Sequence, residues 1–126
     1  MARRVLLIED EPNIAEAIRF LMTREGWEVG IHAEGEGALA AIRAFAPDVL
    51  VLDIMLPGRS GLELLADIRG PEGHGAGLGA LPVLMLSARG QARDREAAER
   101  AGADRFLSKP FANAEVVETL RTLAGA

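Results

Sequence analysis

VLVLDIMLPG, residues 49–58 of this 126-residue chain, is a run of four branched apolar side chains that stops at an aspartate and enters a turn. Uninterrupted apolar runs of this length are typical of strands buried on both faces, as in the middle of a parallel sheet. The Pro57-Gly58 pair marks the turn that follows. Asp53 is therefore predicted at the carboxyl end of a central strand.

Three other short apolar runs end in the same way, at residues whose side chains can bind phosphate or metal. In an open α/β sheet the carboxyl ends of parallel strands lie along one edge, and ligands bind at that edge. We therefore expect these end residues to meet Asp53 there. They are Glu9 and Asp10 after residues 5–8, Ser87 after residues 83–86, and Ser108 and Lys109 after residues 106–107.

The predicted elements alternate strand and helix five times, which favours an α/β fold with a doubly wound parallel sheet in one domain, residues 1–126. Apolar and polar side chains alternate in the second strand, so it is predicted at an edge. Residues 70–80 contain five glycines and are predicted to be a flexible loop. The predicted strands cover residues 4–8, 28–33, 49–52, 83–86 and 105–107. The predicted helices cover residues 12–25, 36–45, a third that starts at a capping box of Ser60 and Glu63, 91–101, and 114–123 capped by Asn113.

The composition excludes several classes of function. A net charge of -5 and the lack of a long basic run argue against direct contact of this domain with nucleic acid. The chain has no cysteine, which excludes disulfides and cysteine metal sites. No apolar run approaches the roughly 20 residues of a membrane span, and the run after Arg3 and Arg4 is too short for a signal peptide. A cytoplasmic protein without a membrane partner is expected.

Lys109 is the only lysine among fourteen basic residues. A GC-rich genome would explain the general preference for arginine, so the single lysine is either codon bias or a requirement of its site. A lysine ammonium is a compact charge and a guanidinium is a planar fork, so the two are not interchangeable where charge must lie at one point. Its place after a predicted strand favours a site requirement.

Glu9, Asp10 and Asp53 are predicted to lie within a few ångströms of one another. Like charges at that distance repel and destabilise the fold unless a cation neutralises them. Mg²⁺ prefers oxygen ligands and suits a small site with few carboxylates. In the alternative interpretation the acids only end strands and solvate a loop. That interpretation explains neither why acids follow two different strands nor why the single lysine follows a third. A carboxylate beside Mg²⁺ can also attack phosphorus, and Asp53 is the candidate nucleophile.

These residues lie in motifs that together resemble the response regulator receiver domain of bacterial two-component signalling. The resemblance extends over nearly the whole chain, and its specificity comes from the order and spacing of the motifs. It implies a flavodoxin-like, CheY-like fold of five βα units with strand order 2-1-3-4-5. The motifs are Leu7-Ile8-Glu9-Asp10-Glu11, Val51-Leu52-Asp53-Ile54-Met55-Leu56-Pro57-Gly58, Leu86-Ser87-Ala88-Arg89, Ala101-Gly102-Ala103-Asp104 and Lys109-Pro110-Phe111.

The resemblance implies a role for each residue of the predicted site. Asp53 would accept a phosphoryl group from a phosphohistidine on a sensor histidine kinase or a phosphotransfer protein. Lys109 would pair with an oxygen of that phosphoryl group. Mg²⁺ would be bound by the side chains of Glu9, Asp10 and Asp53 and by the backbone carbonyl of Met55.

The resemblance also implies a conformational switch. The Ser87 hydroxyl would turn toward the phosphate and Phe106 would turn inward, which would change a surface formed by the fourth helix, the fifth strand and the fifth helix. That surface would control an output protein or output domain, in some relatives through a homodimer formed on phosphorylation. Arg105 stands where DNA-binding relatives carry an acid, which weakens the case for that dimer. The Lys109-Pro110 peptide would be cis.

Alternatives to a stand-alone receiver remain open. The chain could be cut from a longer transcription factor of the OmpR type, or be an inactive receiver or flavodoxin-like binding module. A phosphatase of the haloacid-dehalogenase type would carry a second aspartate where this chain has Met55. The leading interpretation is a switch that catalyses only its own phosphorylation and dephosphorylation, with Met55 and Arg89 setting the rate of phosphate loss. Residues 75–80 imitate a dinucleotide fingerprint but follow a helix, so Mg²⁺ is the only cofactor predicted.

Overall fold

A single sheet of five parallel strands organises the computed structural model, which describes residues 2–75, 77–88 and 92–125 apart from the side chains of residues 72 and 74. The strands are β1 (Arg4–Ile8), β2 (Glu28–His32), β3 (Val49–Asp53), β4 (Val83–Ser87) and β5 (Arg105–Ser108). Their order is β2-β1-β3-β4-β5, and each neighbouring pair is parallel. The predicted doubly wound fold and strand order are confirmed, with β2 at an edge.

Helices cover both faces of this sheet. They are α1 (Pro12–Arg24), α2 (Ala38–Phe45), α3 (Gly61–Arg69), α4 (Pro71–Gly75), α5 (Ala92–Ala101) and α6 (Asn113–Leu123). α1 and α6 pack on one face, and α2, α3 and α5 pack on the other. The fourth and fifth predicted helices are therefore α5 and α6. Among the helices described, none has the length and hydrophobicity needed to cross a membrane.

The uninterrupted apolar sequence of β3 is explained by these two layers. Successive side chains of a strand point to opposite faces of the sheet. Leu50 and Leu52 join the core under α2 and α3, whereas Val49 and Val51 join the core under α1 and α6. Since both faces are covered, an alternating polar position would have been buried without a partner.

Residues 70–80 contain the short helix α4, so the prediction of a flexible loop is wrong for this part of the segment. Pro71 is the first residue of α4, where its missing N–H costs little. Gly73 packs so closely on the end of α3 that a Cβ there would lie 1.8 Å from the carbonyl oxygen of Ile68. A five-residue segment rich in glycine has little intrinsic propensity to form a helix. α4 depends on its tertiary contact with α3, which no local sequence pattern shows.

The ends of several helices differ from the predicted ends. Asn113 is the first residue of α6 and not its cap, because the extended backbone of a cap belongs to Ala112. α2 begins two residues later than predicted, at Ala38. The capping box of α3 is confirmed, since the Glu63 N–H donates to Ser60 Oγ at 3.2 Å. The predicted start of α5 at residue 91 lies outside the described residues.

Candidate functional site

The predicted acidic cluster forms at the carboxyl edge of the sheet. Glu9 and Asp10 follow β1, and Asp53 ends β3, which extends one residue further than predicted. Ile8 lies opposite Leu52, so the two chain segments leave the sheet side by side. Carboxylate oxygens of Glu9, Asp10 and Asp53 lie within 4.8 Å of one another. Glu9 and Asp53 are buried and Asp10 is exposed, which leaves one side of the cluster open to solvent.

Lys109 reaches this cluster from the far end of the chain. Its backbone N–H donates to the carbonyl of Ser87 at 2.7 Å, which holds it beside the end of β4. Its ammonium Nζ donates to Asp53 Oδ2 at 3.0 Å and lies 2.9 Å from Glu9 Oε1. Glu11 contributes a third carboxylate at 3.1 Å, a contact that the sequence does not predict, because Glu11 belongs to the motif after β1 and no local pattern directs it to Lys109. The Lys109-Pro110 peptide is cis, as the resemblance implied.

Burial and charge change the protonation of the two buried groups. Burial raises the pKa of Glu9 from its usual 4.5 to about 7 and the nearby Asp53 adds to this, although the Lys109 ammonium and a hydrogen bond from the Glu11 N–H lower it. Burial alone would lower the pKa of Lys109, but the bonds to the three carboxylates outweigh burial and hold that pKa above its usual value. Lys109 is therefore charged at neutral pH, and Glu9 gains or loses a proton in that range.

The cluster fits a hard divalent cation such as Mg²⁺. One ammonium faces the acids Glu9, Asp10, Glu11 and Asp53, so negative charge is in excess. Among the described residues, none gives the buried Oε1 of Glu9 an aligned hydrogen bond, although Lys109 Nζ is 2.9 Å away. Mg²⁺ binds oxygen ligands and keeps several waters. The cluster offers carboxylate oxygens with an excess of negative charge, and its Asp10 side is open to water.

Met55 lies at the entrance of the cluster. Its backbone N–H donates to Asp53 Oδ1 at 3.3 Å, which holds the start of the loop beside the acids. Its side chain is 62% exposed. Arg89, predicted to flank the same entrance, lies outside the described residues.

The two predicted switch residues occupy different depths of the sheet. Ser87 ends β4 and is buried, and its hydroxyl donates to Asp94 Oδ2 of α5 at 3.0 Å. Phe106 lies within β5 opposite Met85, and the Arg95 guanidinium is 5.0 Å from the centre of its ring. Since only 7% of Phe106 is exposed, the ring is inward in this structure and is not part of the acidic cluster.

Asp94 and Arg95 are residues that the sequence analysis missed. Both belong to α5, a helix of charged residues and alanines that the sequence predicts only as part of the output surface. No periodic signal distinguishes these two side chains from the other charges of α5, because their contacts are with residues of other elements. Only the position of α5 against β4 and β5 brings them to Ser87 and Phe106.

A groove lies beside Lys109, between the start of α1 and the segment that joins β5 to α6. Its volume is about 440 Å³ and its walls are mainly apolar. Ile14 and Ala17 line one side, and Pro110 and Phe111 line the other. A side chain that entered this groove would reach the Lys109 end of the acidic cluster.

Comparisons with known proteins agree with this geometry. Residues 5–121 match the family model of the response regulator receiver domain. TcrX of Mycobacterium tuberculosis is 44% identical over 119 residues, which are 94% of this chain and 48% of TcrX. The DNA-binding response regulator MtrA of Mycolicibacterium smegmatis is 32% identical over 121 residues, which are 96% of this chain and 50% of MtrA. The chain thus spans about half the length of these relatives.

The similarity extends to the three-dimensional fold. A crystal structure of a protein from Chloroflexus aurantiacus superposes with a TM-score of 0.90 at 32% sequence identity. The superposition covers 100% of both chains. It therefore includes the strand ends on which the acidic cluster lies.

Proposed function

We propose, given that this chain belongs to the response regulator receiver domain family, that Asp53 accepts a phosphoryl group from a phosphohistidine. The donor is a sensor histidine kinase or a phosphotransfer protein, and residues 1–126 act as one receiver unit. The environment of Asp53 carries the proposal. Its side chain is 2% exposed, lies beside two further acids, and accepts a hydrogen bond from Lys109 at 3.0 Å.

The two oxygens of the Asp53 carboxylate are held differently. Oδ2 accepts from Lys109 Nζ, and Oδ1 accepts from the Met55 N–H. In the proposed transfer a carboxylate oxygen attacks phosphorus, and the new O–P bond forms as the N–P bond of the donor breaks. The imidazole nitrogen keeps the electron pair and leaves as neutral imidazole when the other ring nitrogen carries a proton. Lys109 pairs with a phosphoryl oxygen and offsets the charge that collects there.

The proposed ligands of Mg²⁺ are the side chains of Glu9, Asp10 and Asp53 and the carbonyl of Met55. When bound, the ion neutralises the acids and the phosphoryl oxygens, so that an anionic donor can approach. Glu9 supports this assignment most directly, because none of the described residues gives its buried Oε1 an aligned hydrogen bond and its carboxylate lies beside those of Asp10 and Asp53. Asp10 is exposed and would leave water access to the ion.

The groove beside Lys109 is the proposed docking place of the phosphodonor. It opens next to the ammonium that contacts Asp53, and the apolar side chains of Ile14 and Phe111 would pack against an apolar partner surface. Burial of apolar area at such a contact supplies affinity without adding charge to an acidic site.

The proposed output surface consists of α5, β5 and α6. Among the described residues of α5, Ala98 is the one that is buried, so few apolar contacts fix the helix and it can shift at low cost. MtrA is a DNA-binding response regulator, and we extend from it the proposal that this receiver controls transcription through an output domain or protein. A homodimer formed on phosphorylation belongs to the same proposal.

The chain is proposed to act as a switch in the cytoplasm that catalyses only its own phosphorylation and dephosphorylation. With a net charge of -5 this domain is not proposed to contact nucleic acid itself. The exposed side chain of Met55 is proposed to affect the rate of phosphate loss, because it lies where water would enter.

The test of the proposed function is intact mass after incubation with acetyl phosphate and Mg²⁺. Wild type and the control Asp67→Asn, whose carboxylate pairs with Arg59 away from the cluster, should each gain one phosphoryl group. Asp53→Asn should gain none. A phosphoryl group retained by Asp53→Asn, or its absence from wild type, would contradict the proposal.

A further inference from the structure

The first described turn of α5 carries side chains that contact both switch residues. Asp94 Oδ2 accepts a hydrogen bond from the Ser87 hydroxyl at 3.0 Å. Arg95, the next residue along the helix, places its guanidinium 5.0 Å from the centre of the Phe106 ring. The position of this turn is therefore coupled to the end of β4 and to the middle of β5 at the same time.

The Ser87 hydroxyl cannot serve two acceptors with one proton. A serine hydroxyl has a single O–H donor, and here that donor is directed to Asp94. Leu86 lies opposite Asp53 in the sheet, so Ser87 stands one residue beyond the level of the phosphoryl acceptor. A hydrogen bond from this hydroxyl to a phosphoryl oxygen on Asp53 would require that the bond to Asp94 break.

The two competing acceptors are similar in kind. A carboxylate and a phosphoryl oxygen both carry negative charge, and hydrogen bonds to charged acceptors are stronger than bonds between neutral groups. Ser87 is 2% exposed, so water reaches the hydroxyl poorly as a third competitor. An exchange between two strong acceptors can be reversible, because the bond that is lost is replaced by a comparable one.

The rest of α5 gives this exchange its effect on the helix. Among its described residues Ala98 is buried, and Ala97 and Ala101 are half-buried. Alanine side chains bury little apolar area, so the packing of the helix is weak relative to that of α1 or α3. The hydrogen bond between Ser87 and Asp94 therefore adds to a small apolar contact, so its loss can affect the position of α5.

We propose that Asp94 is a positioning residue that withholds the Ser87 hydroxyl from the phosphoryl site in the unphosphorylated state. Phosphorylation of Asp53 draws the hydroxyl to the phosphoryl oxygen, breaks its bond to Asp94 and releases the first turn of α5 together with the Arg95–Phe106 contact. This inference rests on the proposed function, since it needs a phosphoryl group on Asp53.

The inference is tested by the affinity for beryllofluoride, which binds an aspartate carboxylate as an analogue of the phosphoryl group. The affinity is measured by calorimetry in the presence of Mg²⁺. Asp94→Ala removes the competing acceptor, so we expect about tenfold tighter binding, the factor that corresponds to loss of one hydrogen bond to a charged group. Asp94→Asn keeps an uncharged acceptor of the same shape and should bind with intermediate affinity. Glu96→Ala removes an exposed acid from the same helix and should bind as wild type does.

A second comparison separates positioning from a general loosening of α5. In Ser87→Ala the hydroxyl is gone, so adding Asp94→Ala should leave the affinity unchanged. An equal gain in the Ser87→Ala background, or an Asp94→Ala variant that binds as wild type does, overturns the inference while the proposed function stands. A wild-type protein that neither binds beryllofluoride nor gains mass from acetyl phosphate overturns the proposed function, and this inference with it.

Discussion

At the scale of single residues, Lys109 determines the charge balance of the site. Its side chain is 8% exposed and its ammonium lies 2.9 to 3.1 Å from three carboxylates. A buried ammonium with three such partners holds its proton firmly, and removing it would leave Glu9 and Asp53 as buried acids without a counter-charge. A compact ammonium lets three carboxylates approach one point, which a planar guanidinium fork does not.

Lys109→Arg tests whether compactness is required. A planar guanidinium is larger than an ammonium and would force the carboxylates of Glu9 and Asp53 apart. We expect Asp53 to remain phosphorylatable by acetyl phosphate, while the phosphorylation-dependent change in hydrogen exchange of α5 falls several-fold. The exposed Arg19→Lys serves as the control, since it makes a similar exchange on the surface of α1. A Lys109→Arg protein that responds like wild type would mean that the single lysine reflects codon bias.

The protonation of Glu9 predicts a pH dependence of stability in EDTA, without metal. The pKa of Glu9 is raised from 4.5 to about 7 in the folded protein, so the folded state binds this proton more tightly than the unfolded state does. The bound proton on Glu9 therefore contributes fully to the free energy of unfolding below about pH 4.5. This contribution is lost as the pH rises through about 7. Urea unfolding between these values should show a decline in the free energy of unfolding that Glu9→Gln removes.

The exposed Glu16→Gln is the control for that titration, and its unfolding free energy should decline with pH as in wild type. Saturating Mg²⁺ should also reduce the decline, because a cation favours the charged carboxylate. The same slope in Glu9→Gln as in wild type would show that another group is responsible.

At the scale of elements, the strands were predictable because the signal for each is contained in a few adjacent residues. β3 and β4 are covered on both faces, and their sequences are apolar throughout, so the run and its polar end residue could both be identified. The acids and Lys109 followed from those ends. The roles of Asp94 and Arg95 could not be predicted in this way. α5 carries many exposed charges, and no local sequence pattern identifies Asp94 as the side chain that contacts Ser87. α4 was missed for a related reason, because its stability comes from packing on α3.

The junction of β3 and α3 supplies a prediction at this scale. Gly61 begins α3 so close to the end of β3 that an added Cβ would lie 2.1 Å from the Asp53 carbonyl oxygen. Gly61→Ala should therefore displace the backbone that carries Asp53, lower the affinity for Mg²⁺ and cost about 1–3 kcal/mol of unfolding free energy. The measurements are urea unfolding and calorimetric titration with Mg²⁺.

Gly75→Ala is the matched control for this substitution. A Cβ at Gly75 would meet nothing within 4 Å, so neither the Mg²⁺ affinity nor the stability should fall. If Gly61→Ala binds Mg²⁺ as wild type does, the contact between helix and strand does not set the geometry of the acidic cluster.

At the scale of the whole molecule, the site is assembled from the ends of strands β1, β3, β4 and β5 and from the start of α5. Glu9 and Asp10 follow β1, Asp53 ends β3, the Ser87 hydroxyl ends β4, and the Lys109 ammonium follows β5. A ligand held by several strands at once stabilises the folded state as a unit, because the unfolded chain has no such site.

Mg²⁺ should accordingly raise the melting temperature of the protein. A ligand at a hundredfold excess over its Kd stabilises the folded state by about 3 kcal/mol. Asp10→Ala should remove most of this rise and change the metal-free melting temperature little, since Asp10 is exposed. Glu34→Ala, which removes an exposed acid after β2, should keep the full rise in scanning calorimetry. A full rise in Asp10→Ala would place the metal elsewhere.

The distance along the chain between the parts of the site has a consequence for the protein as it is synthesised. Glu11 and Lys109 touch across 98 residues of sequence, and Asp53 and Lys109 across 56. A ribosome adds residues at about 5 to 20 per second, so the acids leave the exit tunnel several seconds before their counter-charge does. A growing chain therefore contains Asp53 but not yet the ammonium that completes its environment. Until Lys109 has emerged, the buried acids Glu9 and Asp53 have no ammonium beside them, so the charge balance of the site is reached only after residue 109 has been translated.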